Sequence, residues 1–237
     1  DTLSIKVYQA LAAAIDLVPD RNVILTDSGN FPSDIYMAEG LIKSLGRGHE
    51  LRVVDPEEVE NHINDDLAVL MLTQVDYRTG RLHDMKALTA KAHAVGAVAS
   101  WDLAHTAGAM AVDLQGCNAD FAVGCTYKYL NAGPGAPAFI YVAPRHIDNC
   151  QLALSGWLGH AYPFAFDLAY RPGTGIERMR VGTPSVLQMA ALDASLDIWD
   201  QVDMDALRAA SITLTEQFIA GIEGHCPQLK LASPRDP

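Results

Sequence analysis

The stretch from Leu67 to Leu72, LAVLML, is apolar at every position. A strand with one face in water alternates apolar and polar residues. A run with no polar member belongs to a strand buried on both faces. Helices covering a mostly parallel sheet from both sides provide that burial. Val23-Ile24-Leu25, Leu51 to Val54, Ala97 to Trp101, Phe121 to Val123 and Ala138 to Val142 read as further strands. Helical patterns lie between them. Ile5, Tyr8, Ala12 and Ile15 share one face, as do Met85, Leu88, Ala92 and Val95. Asp1, Thr2 and Ser4 stand where a cap for the first helix belongs. The fold class expected is α/β, a mostly parallel sheet flanked by helices.

The pattern changes after residue 143. Residues 155 to 182 are rich in Gly, Pro and aromatics and read as a long irregular segment, a kind of loop that usually carries function. Two helices follow, one with Met189, Leu192, Leu196 and Trp199 on a face, the next with Leu207, Leu214, Phe218 and Ile222. The second is expected to run towards another lobe. The sequence opens without Met and stops in the polar run SPRDP, so a fragment of a longer protein is expected.

Lys and Arg number 17 against 29 Asp and Glu, a net charge of −12. A chain this acidic is a poor general binder of nucleic acid or anionic membrane, although a local pocket for a small anion remains open to it. No apolar run reaches the roughly 18 residues of a membrane span, and no signal peptide opens the chain. Cys117, Cys125, Cys150 and Cys226 contain no C-x-x-C pair. That spacing fits neither a zinc knuckle nor a dense disulfide framework, and free thiols in a reducing cytoplasm are expected.

In open parallel sheets ligands sit beyond the carboxyl ends of the strands. Four such ends carry polar residues: Thr26 to Asp34, Thr73-Gln74, Asp102 to Gly108, and Cys125 to Tyr129. Asp102 follows AVASW directly, His105 lies three residues on, and Lys128 follows the run FAVG. A carboxylate and a lysine on separate strand ends can flank one flat ligand. Pyridoxal phosphate requires that pair: an amine for its aldehyde, and a carboxylate that keeps its pyridine nitrogen protonated. Its phosphate requires N–H groups and hydroxyls, and Ser4 at a helix start is placed for this. Each residue alone has an ordinary role. Asp102 and Ser4 can cap helices, Lys128 can lie on the surface, His105 can be a satisfied structural histidine, and Phe31, Tyr127 and Trp157 can be core aromatics.

The surrounding words decide between these readings. Trp101-Asp-Leu-Ala-His-Thr-Ala-Gly108, followed by Gly124-Cys-Thr-Tyr-Lys-Tyr-Leu-Asn131, resembles the kynureninase family. So do Asp27-Ser-Gly-Asn-Phe-Pro-Ser-Asp34 and Ser155-Gly-Trp-Leu-Gly-His160. The resemblance runs across nearly the whole chain. It implies a class V, fold-type I enzyme dependent on pyridoxal phosphate. Residues 1–200 would be the large cofactor-binding domain, incomplete at its N-terminus, and 201–237 a helix leading to an absent small domain. By the same resemblance Leu3 and Ser4 match the phosphate-binding turn, with Ser4 where some members have threonine. Phe31, Pro32, Ser33 and Asp34 match the segment against the cofactor ring. Thr73, Asp102, His105 and Tyr127 match further cofactor contacts, and Lys128 the Schiff-base lysine. Trp157 and Thr183 match contacts from a neighbouring subunit, so a homodimer with shared active sites is implied. The arginine that grips the substrate carboxylate lies in the family's small domain, beyond this sequence.

The implied reaction is hydrolysis of L-kynurenine, or 3-hydroxykynurenine, to the anthranilate and L-alanine, in tryptophan catabolism and NAD biosynthesis. Lys128, Asp102 and Tyr127 would be catalytic, with Lys128 moving the Cα proton, and no metal is expected. The rivals are another class V enzyme such as a cysteine desulfurase, which needs a nucleophilic cysteine, and an inactive fragment that keeps the fold. Cys125 is expected at a strand end near the cofactor, but buried.

Overall fold

The computed structural model describes residues 1–236. In chain order the elements are helix α1 (Leu3–Leu17), strand β1 (Val23–Asp27), helix α2 (Pro32–Leu45), strand β2 (Glu50–Val54), a 3-10 helix (Pro56–His62), strand β3 (Leu67–Thr73) and helix α3 (Met85–Ala94). Strands β4 (Val98–Asp102), β5 (Phe121–Gly124) and β6 (Phe139–Val142) follow, then the single turn α4 (Pro144–Ile147) and helices α5 (Val186–Trp199) and α6 (Met204–His225). The strands form one sheet in the order β2-β1-β3-β4-β5-β6. Neighbours are parallel throughout, except that β6 runs antiparallel to β5.

The apolar run is β3, and every residue in it is buried. Its side chains alternate between two cores. Val69 and Met71 pack with α1 and α2, and Leu70 and Leu72 with α3 and Val59 of the 3-10 helix. Trp101 on β4 is wholly buried on the α3 side, where its indole N–H donates to Thr89 Oγ1 at 3.0 Å.

Helix α1 lies across β3 to β6. Its sequence pattern predicts a single stripe, yet burial runs almost all the way round from Lys6 to Ile15. Ala12 and Ile15 are buried while Ile5 and Tyr8 are half-buried. The reason is a third neighbour beyond the sheet and α2. Lys6 Nζ and Gln9 Nε2 both donate to Met179 O, so residues 175–179 close over the helix. Thr2 stands at the N-cap without a side-chain bond, and Ser4 does not cap.

Helices α5 and α6 form where the periodicity places them, but their apolar stripes are uncovered. Met189 and Leu196 on one, and Leu214 and Phe218 on the other, are all exposed. Residues 155–182 carry only short 3-10 turns, at Trp157–Gly159, Pro163–Ala165 and Gly175–Met179. No helix among the described residues is long and apolar enough to cross a membrane.

The amino edge of the sheet is tied by Asp120, just before β5. Its carboxylate accepts Nε2–H of His93 and of His146 at 2.7 Å, Arg145 Nη2 at 2.5 Å and Ala99 N at 2.8 Å. Burial opposes its charge, but the bonds from His93, Ala99 and His146 overcome this and pull the carboxyl down to about 2. Its folded pKa therefore lies below the unfolded value of about 3.9. The stabilisation is full above that value and is lost as pH falls towards 2. Asp120→Ala should cost about 3 kcal/mol in urea unfolding at neutral pH, as for a broken buried ion pair. Asp120→Asn should flatten the acid limb of stability against pH, and an unchanged limb would show that the clamp contributes nothing there.

Candidate active site

At the opposite edge, Asp102 ends β4 in register with Thr73 of β3 and Val123 of β5. Its Oδ1 accepts Ala104 N at 2.7 Å, while its buried Oδ2 has no partner. Asp34 comes to the same place from α2. The turn before that helix is closed by Asp27 Oδ1 accepting Gly29 N, Asn30 Nδ2 donating to Thr26 Oγ1, and Asn30 Oδ1 accepting Phe31 N. Pro32 then starts the helix, where its fixed φ and missing N–H suit the first position. Asp34 follows in the first turn, buried, again with Oδ2 unpartnered.

Lys128 arrives from the loop after β5. Its Nζ lies 2.8 Å from His105 Nε2, and over the rings of Phe31 at 5.7 Å and Tyr127 at 5.8 Å. His105 sits on the turn that follows Asp102. That turn ends at Gly108, whose φ is +87° and whose Cβ, if present, would lie 2.7 Å from the Tyr129 carbonyl carbon. Only glycine permits both the conformation and the approach, which brings the Lys128 loop against the Asp102 turn.

The charges follow from burial. Asp34 is pushed well above the carboxylate range by burial and then by the charge of Asp102. Burial pushes Asp102 up to about 6, against the Ala104 N–H and the Asp34 and Lys128 side chains. Two carboxyls this close and this buried do not both ionise, so the pair retains a proton near neutral pH. His105 is lowered to about 4, by burial and then by Lys128. Its imidazole is therefore neutral, and Nε2 accepts from the Lys128 ammonium. Burial also raises the Tyr127 phenol.

Helices α1 and α2 begin side by side. Ser4 Oγ and Ser33 Oγ are 2.8 Å apart, and neither helix has a side-chain cap. Two uncapped N-termini with two hydroxyls form a cradle for an anion.

Leu3, Ser4, Phe31, Ser33 and Asp34 line one cleft of about 60 Å³ with Asp102, His105, Tyr127 and Lys128. Phe31 and Tyr127 are partly exposed, not core. Thr73 is buried behind the cleft, its hydroxyl donating to Val75 O at 3.2 Å. Pro32 shapes α2 without lining the cleft. Thr183 lines an adjoining cavity of about 600 Å³ together with Ser4 and Tyr127 of its own chain. Trp157 stands away from the cleft, partly exposed, edge-on to Phe164 at 5.8 Å. Sequence reasoning missed that Asp34 pairs with Asp102. The available signal was an acid in the first turn of a helix whose start had already been singled out.

The model of the family described as aminotransferase class-V matches residues 15–236. The chain belongs to that family. Within it, the chain is 53% identical over 236 residues to the kynureninase of Deinococcus radiodurans, covering 99% of this chain and 57% of the relative. It thus spans under three fifths of that relative's length. Among solved structures, an apo cysteine desulfurase from Thermococcus onnurineus NA1 superimposes with a TM-score of 0.77 at 19% identity, over 99% of this chain and 59% of the other. A C-DES variant with glycine covalently linked to its PLP cofactor gives 0.69 at 16% identity, over 93% of this chain and 66% of the other. At such identities these two show the class V fold alone.

A raised carboxyl pKa reverses the usual sign: its contribution to stability is lost as pH rises through the folded value. Without cofactor, Asp34→Asn should therefore melt higher than the unaltered protein at about pH 8, by a few degrees, the shift that about 1 kcal/mol produces at this chain length. The gap should close as pH falls below the unfolded value of about 3.9, where the unfolded chain takes up protons as well. Equal melting temperatures across this range would mean that the two carboxyls do not repel.

Proposed function

We propose that this chain is the cofactor-binding part of a kynureninase, which hydrolyses L-kynurenine or 3-hydroxykynurenine to the corresponding anthranilate and L-alanine with pyridoxal phosphate. The observation that carries the reading is the meeting of a lysine amine and a buried carboxyl pair, each with an unpartnered Oδ2, in one cleft beside an anion cradle. These groups fit pyridoxal phosphate. Asp34 and Asp102 lack a cationic N–H, which a protonated pyridine nitrogen offers. Ser4, Ser33 and the two helix starts lack an anion, which the phosphate offers. The 53% identity to a kynureninase, against 19% to a desulfurase, supports the substrate class.

When bound, the cofactor supplies an aldehyde that couples to an amine and a ring that takes up the electrons of a bond broken beside it. The protein's residues supply the rest. Asp102, with Asp34 beside it, holds a proton at the ring nitrogen. Lys128, once its amine is free, takes the substrate Cα proton; His105, being neutral, accepts a hydrogen bond from that amine and orients it. Tyr127, which lines the cleft beside Lys128 and keeps its phenol proton, is the candidate donor to the carbon freed by cleavage. Phe31, whose ring lies beside the Lys128 amine, would lie against the cofactor ring.

Residues 1–200 are proposed as the cofactor domain and 201–237 as the approach to a second lobe that supplies the substrate-carboxylate arginine. A cytoplasmic homodimer is proposed, with Trp157 and Thr183 at the shared site. The desulfurase reading fares worse, because Cys125, the thiol beside the Lys128 loop, is 1% exposed and its pKa is raised by burial, conditions for an inert thiol.

Adding pyridoxal phosphate should give a visible absorption band, absent in Lys128→Ala. That variant should form anthranilate from kynurenine at least roughly a thousandfold more slowly, on the scale of a lost acid–base group. An unchanged rate in Lys128→Ala would overturn the proposal, and so would turnover of cysteine in place of kynurenine.

A further inference from the structure

The segment between β3 and α3 folds back as a hairpin. Val75 bridges Leu82, Asp76 N donates to Arg81 O and His83 N donates to Gln74 O, both at 2.9 Å. Its tip, Tyr77 to Gly80, is turned by Asp76 Oδ1, which accepts Arg78 N at 2.7 Å and Thr79 N at 3.3 Å.

A hairpin tip is ordinarily mobile. This one is fastened to the turn between β1 and α2. His83 Nε2 donates to Asp27 Oδ2 at 2.6 Å, with both side chains buried. Arg78 Nη2 donates to Ser28 O at 2.9 Å. The Asp76 carboxylate packs so tightly on Gly29 that a Cβ there would lie 2.7 Å from Oδ2. The fastening delivers the Tyr77 ring to two rings of the cleft. It meets Phe31 edge-on at 5.2 Å and lies nearly parallel to His105, at 6.3 Å and 28°. Phe31 belongs to the α2 start and His105 to the turn after β4, so Tyr77 joins two elements that line the cleft separately.

We propose that Tyr77 is a positioning residue of this site, backing Phe31 and His105 so that His105 Nε2 stays within hydrogen-bond reach of the Lys128 amine. The inference deepens the proposed function and rests on it only for the effect on cofactor binding. The charged groups acting on the imidazole are Lys128, from the β5 loop, and Asp76, from the hairpin itself. His105 is half-buried, and with the Tyr77 ring gone more of the imidazole meets water, so the burial that keeps it neutral weakens.

The test uses two readouts. The first is the titration of His105 in the cofactor-free protein, followed by NMR with labelled histidine and assigned with His105→Gln. The second is the affinity for pyridoxal phosphate. Tyr77→Phe keeps the ring and should leave both within about twofold. Tyr77→Leu should move the His105 midpoint up towards the ordinary value of about 6.5. It should also weaken pyridoxal phosphate binding roughly tenfold, the factor that aromatic contacts of this kind carry. His83→Asn loosens the hairpin from outside the cleft and should shift both readouts in the same direction, which keeps the test intact if Leu at position 77 prevents folding. A His105 titration unchanged in both Tyr77→Leu and His83→Asn would overturn the proposal. If pyridoxal phosphate gives no band even with the unaltered protein, the functional reading fails, while the titration still decides the role of Tyr77.

Discussion

Two carboxyl oxygens, Oδ2 of Asp34 and Oδ2 of Asp102, end in a buried cleft with no hydrogen-bond donor beyond the proton the pair retains. Left alone, such groups favour any rearrangement that returns them to water, because a buried charge without a partner is expensive. They stay because the elements bearing them have nowhere to go. Asp102 is the last residue of a strand buried at every position, between two neighbours of the same sheet. Asp34 is in the first turn of a helix whose Ala38 and Leu41 are locked into the core shared with α1. The hydrophobic burial of the sheet holds an electrostatic deficit at its carboxyl edge, and a cationic N–H entering the cleft is the partner that removes it.

The two edges of the sheet make the contrast explicit. Asp120 and Asp102 are both buried aspartates beside neighbouring strands, yet one is pulled down to about 2 and the other pushed up to about 6. Both are almost wholly covered from solvent. Asp120 receives His93, His146, Arg145 and Ala99 N, whereas Asp102 receives Ala104 N and the proton it shares with Asp34. Hydrogen-bond donors decide whether burial raises or lowers a carboxyl. The amino edge is satisfied and stabilises the fold; the carboxyl edge is unsatisfied and available for chemistry.

The strands were legible because their burial on both faces leaves runs such as LAVLML without a polar residue. The antiparallel direction of β6 was not, since Phe139–Val142 has the same composition whichever way it runs. The stripe on α1 was read too narrowly, because the covering segment at Met179 lies far along the chain. The faces of α5 and α6 were read correctly as apolar, but periodicity does not say what covers them. At the site, Asp102, His105 and Lys128 announced themselves at strand ends. The pairing of Asp34 with Asp102 and the contact of Tyr77 with His105 did not, because each joins residues that only the packing of α2 and the hairpin brings together.

The charge of the cleft also limits how it holds an anion. The cleft sets Lys128 beside a carboxyl pair that retains a proton and a neutral His105. Among the described residues lining it there is no arginine. A phosphate here would be met by the N–H groups at the starts of α1 and α2 and by the hydroxyls of Ser4 and Ser33, not by a counter-charge. Helix-terminal N–H groups are fixed in direction and need no reorganisation when the anion arrives. They also fix the sense in which a ligand lies. A ligand with an anionic end at the paired serines and a cationic end at the paired aspartates would present to Lys128 only the part between them.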